Sequence, residues 1–443
     1  MKEPWPEKKE IVIQVPEPVR EILKTLENAG FEAFAVGGCV RDSLLERTPE
    51  DWDITTSALP AQVKALFRRT VDTGIQHGTV TVMIGKTGYE ITTYRVDGDY
   101  ADGRHPDRVY FTPSLREDLK RRDFTINAMA YSPAAGLVDE FDGIGDLRRR
   151  VIRCVGDPRE RFTEDALRIL RAIRFSAQLG FAVEEETAKA LAEIAPNLVH
   201  VSRERIQVEL TKTLLSGHPD KILDVHTSGM DRYIGPEFAG AFAVGEELLR
   251  SRLFAAAGLP AEKSLRWAAF LAGAGAERAR KVLRGLKMDN DTIRDVETLT
   301  GGWTLGFLPE EAGLSMASET VRGAAPGGAS DPEEAVVRRE MSRMSDALFD
   351  RLLLLGGTIC PEHRDKAEHI RQMAEEIRRR GDCYRMKDMA VTGGDLIRAG
   401  LKPGRRMGEI LAACFALVLR DPAANERGKL MEYALNFPIP SEK

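Results

Sequence analysis

The feature that most constrains the fold is a change of residue periodicity near Arg161. From about Ala33 to Val155, short runs of β-branched and aromatic residues alternate with turns, a pattern typical of strands. After Arg161, apolar residues recur at helical spacing over 164–179, 184–194 and 202–215. The chain therefore predicts an α+β protein, with an N-terminal mixed β-sheet domain followed by an all-helical remainder.

The length of 443 residues is too great for one ordinary domain. A stretch rich in glycine, alanine and proline, 322–333, cannot pack a core and predicts a flexible connection that divides the helical half. We predict four domains: a sheet-bearing head or palm over 1–155, a helical neck over 156–217, a helical body over 218–330 and a helical tail over 331–443.

The formal net charge of −5 argues against a uniformly basic surface that binds nucleic acid along its whole length. Any such contact must use local basic patches. Patches of this kind are typical of solvated surfaces as well as of nucleic-acid sites. The candidates are Lys120-Arg121-Arg122, then Arg148-Arg149-Arg150 with Arg153, then Arg168, Arg171 and Arg174.

Cysteine usage and apolar runs indicate the compartment. The five cysteines lack CxxC spacing, so neither a zinc site nor a disulfide framework is predicted, and a reducing cytoplasm fits. The longest apolar run, 410–419, is too short to span a bilayer, and the N-terminus lacks a signal pattern. We expect a soluble cytoplasmic protein.

Two acids stand two residues apart in Asp51-Trp52-Asp53, at the entry to a predicted strand. Because side chains alternate along a strand, both carboxylates face the same way and can share a metal site. Mg²⁺ suits such a pair, since it binds a few carboxylates and completes its shell with water and phosphate oxygens. An isolated acid pair is equally typical of a polar turn, so its neighbours decide between the two interpretations.

A glycine turn precedes these acids. Gly37-Gly38-Cys39-Val40-Arg41-Asp42 follows the apolar segment 34–36 and leads into a predicted helix. Glycines let the backbone approach phosphate, the helix N-terminus offers free N–H groups, and Arg41 can bind a triphosphate oxygen pair. An ordinary strand-to-helix turn has the same outline. A dinucleotide-binding site is excluded because GxGxxG is absent.

The combination of GGxVRD, a short helix and DxDIT resembles the nucleotidyltransferase domain of the class II CCA-adding enzyme and bacterial poly(A) polymerase family. The resemblance implies phosphoryl transfer with Mg²⁺ held by Asp51 and Asp53, and a third catalytic acid at Glu90. It implies a flexible loop over 97–106. It also implies that Gly38 and Arg41, with Arg122 and Asn127 of Arg121-Arg122-Asp123-Phe124-Thr125-Ile126-Asn127, contact the nucleotide.

The segment 163–175 carries a second family motif, EDxxR. Its pattern predicts one helix with Thr163 as N-cap, in which Asp165 and Arg168 share a face. An ionised Asp only accepts hydrogen bonds and an Arg only donates them, which matches the Watson–Crick edges of C and A and mismatches U and G. A salt-bridged surface helix has the same pattern. The resemblance assigns Asp165 and Arg168 to base selection, with Arg171 and Arg174 completing the pocket or reaching the triphosphate.

Further resemblances separate the members of the family. An intact loop over 99–106 favours addition of the terminal A, and 205–212 resembles the stretch typical of CCA-adding members, although Gln207 replaces a commoner small residue. The glycine turns of 393–411 resemble a tail that grips the tRNA elbow, or are purely structural. His363-Arg364-Asp365 does not form the doublet of an HD phosphohydrolase domain, so no phosphatase activity is expected.

These features predict template-independent addition of C, C and A from CTP and ATP to the 3′ end of tRNA, with release of pyrophosphate. A poly(A) polymerase and a partial, A-adding enzyme are the alternatives within the family. A non-catalytic RNA-binding protein is the alternative from another class. Retention of Asp51, Asp53, Asp165 and Arg168 argues against that last alternative, because RNA binding alone needs neither the metal-binding acids nor the base-selecting pair.

Overall fold

A computed structural model of the protein describes residues 11–98, 109–301 and 333–438. The chain forms two compact units, one made of residues up to Phe242 with 285–287 and the other of the rest from Ala243. Residues 99–106 of the predicted flexible loop lie outside the described residues, as does the predicted connector up to residue 332. The division into four domains stays a prediction.

A seven-stranded sheet forms the base of the first unit, in the order β3-β4-β5-β2-β1-β8-β9. β2 and β5 are parallel and the other neighbours are antiparallel, so the predicted mixed sheet is confirmed. The sequence pattern did not predict β3 or β9. The strands are β1 (Ala33–Val36), β2 (Asp53–Thr56), β3 (Thr70–Gly74), β4 (Thr79–Ile84), β5 (Thr87–Thr93), β8 (Met129–Ser132) and β9 (Gly136–Asp139).

Two short ribbons and several helices accompany this sheet. The β6 (Arg95–Asp97) and β7 (Val109–Phe111) strands pair antiparallel, while β10 (Val151–Ile152) and β11 (Ala182–Val183) pair parallel. Strand residues such as Phe34, Val36 and Ala130 form a buried cluster with Tyr94 and Leu119. The helices in this part of the chain are α1 (Glu17–Asn28), α2 (Gly38–Leu44), α3 (Pro60–Leu66), α4 (Leu115–Lys120) and α5 (Gly143–Arg149).

The predicted helix beginning after Thr163 is wrong at its start. The chain forms α6 (Pro158–Glu164) and α7 (Leu167–Leu179), and between them Asp165 has extended backbone angles, φ −144° and ψ 101°. The Asp165 carboxylate accepts a hydrogen bond from the Leu167 backbone N–H at 3.1 Å. Acidic side chains compete with helical hydrogen bonds in this way, so Asp165 starts a second helix instead of continuing the first.

The remaining helices of the first unit carry the chain past α7. The predicted helices over 184–194 and 202–215 are confirmed as α8 and α9, which begin one residue later than predicted. The set is α8 (Glu185–Ile194), α9 (Arg203–Leu214), α10 (Leu223–Thr227), α11 (Asp231–Ile234) and α12 (Pro236–Ala239).

The second unit is helical throughout its described residues, which confirms the prediction for this half of the chain. Trp267 and Phe349 are completely buried there. Within the described ranges, no helix has both the length and the apolar character needed to cross a bilayer. The α-helices of the second unit, within the described residues, are α13 (Glu246–Ala256), α14 (Lys263–Leu271), α15 (Ala276–Gly285), α16 (Asn290–Gly301), α17 (Glu333–Arg343), α18 (Asp346–Ile359), α19 (Arg364–Arg380), α20 (Gly393–Arg398), α21 (Arg405–Arg420) and α22 (Arg427–Leu435).

Candidate active site

A polar cleft of about 720 Å³ lies in the first unit, between the turn after β1, the loop before β2, and helices α7 and α9. Most of the residues predicted to form the site line this one cleft. They are Gly38, Arg41, Asp51, Asp53, Arg122, Asn127, Arg171 and Arg174. Three others, Glu90, Asp165 and Arg168, are not part of its lining.

The glycine turn brings backbone close to the cleft arginines. Gly37 has φ +81°, a conformation that favours glycine, and a Cβ placed there would stand 3.1 Å from Nη1 of Arg122. A side chain at this position would therefore strain the backbone and displace the arginine. Burial raises the pKa of the neighbouring Cys39 thiol to about 12, so this thiol stays protonated and is not a nucleophile.

The acids gather at the adjoining part of the sheet. Because β2 and β5 pair parallel with Ile54 opposite Ile91, Asp53 and Glu90 precede a matched pair and project from the same face. Burial raises the pKa of Asp53, an effect that Arg122 opposes and Asp51 reinforces. Partial burial also raises the pKa of Glu90, and the charges of Asp53 and Asp51 raise it further. The three acids therefore repel one another, and a bound cation would relieve that repulsion.

The donor set fits a metal that needs few protein ligands. Within the described part of the chain, no group of three or more His, Cys, Asp or Glu side chains is arranged to hold a metal ion. A pair of carboxylates is sufficient for Mg²⁺, which retains water and takes phosphate oxygens from its substrate. Asp51 and Asp53 supply such a pair, and direct ligation by Glu90 is not needed.

A chain of hydrogen bonds joins the glycine turn to α7. Arg41 donates from Nη1 to Oδ1 of Asn127 at 2.6 Å, and Asn127 donates to Asp123 at 3.1 Å. Arg171 donates to the other oxygen of Asp123 at 2.5 Å. Burial alone would raise the pKa of Asp123, but Arg171 and these hydrogen bonds outweigh it and hold that pKa well below its usual range. Asp123 is therefore a buried carboxylate that positions cleft residues from two elements.

Three guanidinium groups surround the ring of Phe175. The central carbons of Arg174, Arg41 and Arg171 lie 3.9, 5.0 and 5.5 Å from the ring centroid. Arginines at these distances are attracted by the electron-rich face of an aromatic ring. Sequence reasoning assigned no role to Phe175, although its place at the end of the motif was a usable signal.

Arg174 also joins the two helices that wall the cleft. Its Nε donates to Glu209 of α9 at 2.5 Å, and both side chains are buried. Burial lowers the pKa of Arg174, and the Glu209 charge partly offsets this effect. Glu209 is a second residue that sequence reasoning did not select.

The predicted base-selecting pair has other partners in this structure. The second carboxylate oxygen of Asp165 accepts from Arg205 at 2.7 Å. Arg168 donates to Glu164 at 2.7 Å and to the backbone carbonyls of Arg161 and Arg121. The structure therefore places Asp165 and Arg168 at the junction of α6 and α7 but does not turn them toward the cleft.

Comparison with known proteins defines the class to which this site belongs. A family model described as the poly A polymerase head domain matches residues 33–153, which contain the sheet, the glycine turn and the acids. Two further models, "Probable RNA and SrmB- binding site of polymerase A" and tRNA nucleotidyltransferase domain 2, match 180–241 and 358–434. The first unit thus contains the head domain of a nucleotidyltransferase.

Relatives that match almost the whole chain identify the family within this class. The chain is 37% identical to the CCA-adding enzyme of Leuconostoc mesenteroides and 39% identical to that of Limosilactobacillus fermentum, in each case over 94% of this chain and 95–96% of the relative. The chain therefore belongs to the family of CCA-adding enzymes. Enzymes of the nucleotidyltransferase class use a divalent metal ion.

Solved structures extend this comparison. A crystal structure of the Bacillus stearothermophilus CCA-adding enzyme in complex with CTP matches with a TM-score of 0.74 and 29% identity, over 95% of this chain and 98% of that one. The Thermotoga maritima CCA-adding enzyme complexed with tRNA matches with a TM-score of 0.61 over 96% and 97%. At 22% identity, the second likeness concerns the fold alone.

Proposed function

We propose that this chain adds C, C and A from CTP and ATP to the 3′ end of tRNA without a nucleic-acid template, releasing pyrophosphate. The observation that carries the proposal is the single cleft in which Asp51 and Asp53 face Arg41, Arg122 and Arg171. Nucleotidyl transfer requires carboxylates that bind a metal ion and cationic side chains that bind phosphate. The cleft brings both kinds of side chain together. Similarity to CCA-adding enzymes over almost the whole chain supports tRNA as the acceptor.

The cleft arginines are suited to hold the triphosphate. Arg41 and Arg171 are already oriented by Asn127 and Asp123, so little side-chain freedom is lost when phosphate binds. The backbone at Gly38 leaves room for a phosphate oxygen beside Arg41. Arg122 approaches the turn at Gly37, and its charge already acts on Asp53. Asn127 can in addition donate to the sugar.

We propose Mg²⁺ as the metal, held by Asp51 and Asp53. When bound, it supplies positive charge to the oxygens that react in an in-line displacement at phosphorus. The chain's own part is to orient the triphosphate with its arginines and to keep the two carboxylates together. Glu90 contributes negative charge beside Asp53, which favours binding of a cation.

Base selection by Asp165 and Arg168 requires them to exchange partners. Arg205 now occupies one oxygen of Asp165, and Glu164 occupies Arg168. A cytosine or adenine edge offers a donor and an acceptor that replace these contacts, whereas uracil or guanine leaves groups unsatisfied. We expect Asp165→Ala to raise misincorporation of U or G relative to C by about 10- to 100-fold, from about 1–3 kcal/mol per unsatisfied group. A variant that still excluded U and G would remove this basis for selection.

The deciding experiment offers tRNA transcripts that end before, within or after CCA, each with one labelled nucleotide and Mg²⁺. We expect C and then A to be incorporated, with synthesis stopping once CCA is complete. Long A tails would instead establish a poly(A) polymerase, and incorporation of A alone would establish a partial enzyme. No incorporation with retained RNA binding would establish a binding protein. Substitution of Mn²⁺ for Mg²⁺ tests the identity of the metal.

The proposed compartment is the cytoplasm. All five cysteines are unpaired and buried in the structure. Reduced thiols of this kind are the rule in proteins of the cytosol. Fractionation followed by detection of the chain with an antibody tests this location.

A further inference from the structure

Two cations in the cleft differ from the rest in having no acidic partner. Lys212 of α9 and Arg47 of the loop before β2 both line the cleft and are exposed. Among the residues that the structure describes, neither has a carboxylate at ion-pair distance. Every other cationic residue of the lining has one: Arg41 with Asp42 at 2.8 Å, Arg122 with Asp118 at 3.5 Å, Arg171 with Asp123 at 2.5 Å and Arg174 with Glu209 at 2.5 Å.

Both unpaired cations lie beside the C-terminal half of α7. Arg47 donates from Nη1 to the backbone carbonyl of Gln178 at 3.1 Å, and the Gln178 side chain accepts from Arg174 at 2.9 Å. Lys212 follows Glu209, the partner of Arg174, by three residues and so shares its face of α9. Gln178, the contact of Arg47, lies about 15 Å along α7 from Arg168 at ~1.5 Å per residue, and Lys212 lies on the face of α9 that contacts Arg174.

We propose that Lys212 and Arg47 bind the terminal phosphates of the incoming nucleoside triphosphate and of the pyrophosphate that it releases. This assignment rests on the proposed function, which places the base at the Asp165–Arg168 end of α7. A triphosphate that extends from that end past Arg171 and Arg174 brings its last phosphates to the unpaired cations. The order of the charged residues on and beside α7 thus matches the order of groups in the substrate, from the base to the terminal phosphate.

The chemistry explains why these cations are unpaired. In the transfer, the RNA 3′-hydroxyl loses its proton to water and its oxygen bonds to the α-phosphorus, while the bond from that phosphorus to the bridging oxygen breaks and its electron pair leaves with pyrophosphate. Negative charge therefore grows at the departing end. A lysine without an acidic partner offers an adaptable point charge, and an arginine without one offers an uncompensated charge with several donors, whereas a cation already neutralised by a carboxylate would compensate less.

The test uses the full chain with Lys212→Met, Arg47→Met and both together. Lys86→Met is the matched control, because Lys86 is exposed and outside the cleft lining. With Mg²⁺ present, the inhibition constant of pyrophosphate is expected to rise about tenfold for each lost charge, as a charged hydrogen bond allows. The inhibition constant of CMP, which has no terminal phosphates, and the KM for tRNA should stay unchanged, and Lys86→Met should behave as the unsubstituted chain.

Conservative variants protect the test against loss of folding. Lys212→Arg and Arg47→Lys keep the charge and should keep pyrophosphate inhibition, and all unfolding midpoints should agree because both side chains are exposed. Unchanged inhibition by pyrophosphate in the double variant overturns the proposal. A raised KM for tRNA alone also overturns it, since that outcome assigns the cations to the RNA backbone.

Failure of the phosphate subsite can be distinguished experimentally from failure of the proposed function. Calorimetric titration with pyrophosphate and Mg²⁺ measures the subsite without nucleotide incorporation. If the unsubstituted chain incorporates no C or A but its pyrophosphate binding is weakened in the double variant, the proposed function fails and the phosphate subsite stands. If incorporation proceeds and pyrophosphate binding is equal in all variants, only the subsite fails.

Discussion

The sheet side and the helix side of the cleft treat charge in opposite ways. On the sheet side, Asp51, Asp53 and Glu90 have no cationic partner at ion-pair distance among the described residues, and the pKa values of Asp53 and Glu90 are raised. On the helix side, Arg171 and Arg174 each hold a carboxylate. Unpaired like charges cost folding energy and persist where a ligand compensates them, whereas paired charges keep the shape of a site. The unpaired acids of the sheet side are therefore expected to serve mainly function, whereas the paired arginines of the helix side also hold the fold together.

The largest effect is expected from removing an unpaired acid. Asp53→Asn should lower kcat on the order of a thousandfold or more, because metal-assisted charge stabilisation contributes several kcal/mol. Since a raised pKa means that the ionised acid disfavours the fold at pH 7, the unfolding midpoint should stay equal or rise. Activity assays and thermal unfolding measure the two quantities.

The control for this substitution is Asp72→Asn, on an exposed acid that pairs with Lys64 at 2.9 Å away from the cleft. It should leave kcat unchanged. A clearly lowered unfolding midpoint in Asp53→Asn would contradict this comparison, because it would show that the unpaired acid stabilises the fold.

Removing a paired acid should affect the fold instead. In the Arg174–Glu209 pair the two side chains are only 8% and 6% exposed, so Glu209→Ala leaves a buried charge without a partner. We expect a loss of about 3 kcal/mol or more in the free energy of unfolding, measured by urea titration. Glu186→Ala is the control, because its pair with Lys189 is half-exposed, and it should change the free energy by about 0.5 kcal/mol or less. Equal losses in the two variants would contradict the structural role of the pair.

A smaller effect is expected at Phe175, which sharpens the comparison because its ring orients three cleft arginines. Phe175→Leu keeps an apolar side chain but removes the ring, and should raise the KM for CTP and ATP about fivefold, from a cation–π contribution of about 1 kcal/mol. Phe175→Tyr keeps the ring and should keep the KM. A fall in kcat with unchanged KM would instead place the ring's influence on the reacting atoms.

The smallest effect concerns pH. The pKa of Asp123 is lowered in the folded state, so its contribution to stability is complete above the unfolded value of about 3.9 and is lost as pH falls toward the folded value. The stability difference between the unsubstituted chain and Asp123→Asn should therefore shrink by about 1 kcal/mol per pH unit below about pH 4. Urea titrations at pH 7, 5, 4 and 3 measure this difference, and a constant difference would mean that Asp123 is not ionised in the fold.

The outline of the fold was predictable because periodicity is a local property. Short β-like runs at 33–36 and 79–84, bounded by turns, predicted strands, and helical spacing along 184–194 predicted α8. The break at Asp165 was not predictable from the same spacing. A side chain that caps the next helix gives no signal in the apolar pattern, and the acids at 164 and 165 suit the first turn of a helix equally well.

The candidate site shows the same division. The glycine turn, the acid pair and the arginine motif were evident as short stretches of sequence, and the fold brings them to one cleft. The roles of Asp123, Phe175 and Glu209 were not evident, since each depends on a partner distant in sequence: Arg171 is 48 positions from Asp123, Arg41 is 134 from Phe175 and Arg174 is 35 from Glu209. The spacing of Asp165 and Arg168 predicts that they share a face, but their partners in the structure, Arg205 and Glu164, could not be inferred from that spacing.

The sequence by itself determined the class of fold, the family and the chemical groups available for transfer, because these follow from local pattern and from motifs with fixed spacing. Only the tertiary structure decided which charges are neutralised. Ion pairing depends on which distant side chains meet, as Arg174 meets Glu209, and the same meeting leaves Lys212 and Arg47 without carboxylate partners among the described residues. Whether a charge is paired or unpaired is therefore a property of the folded chain.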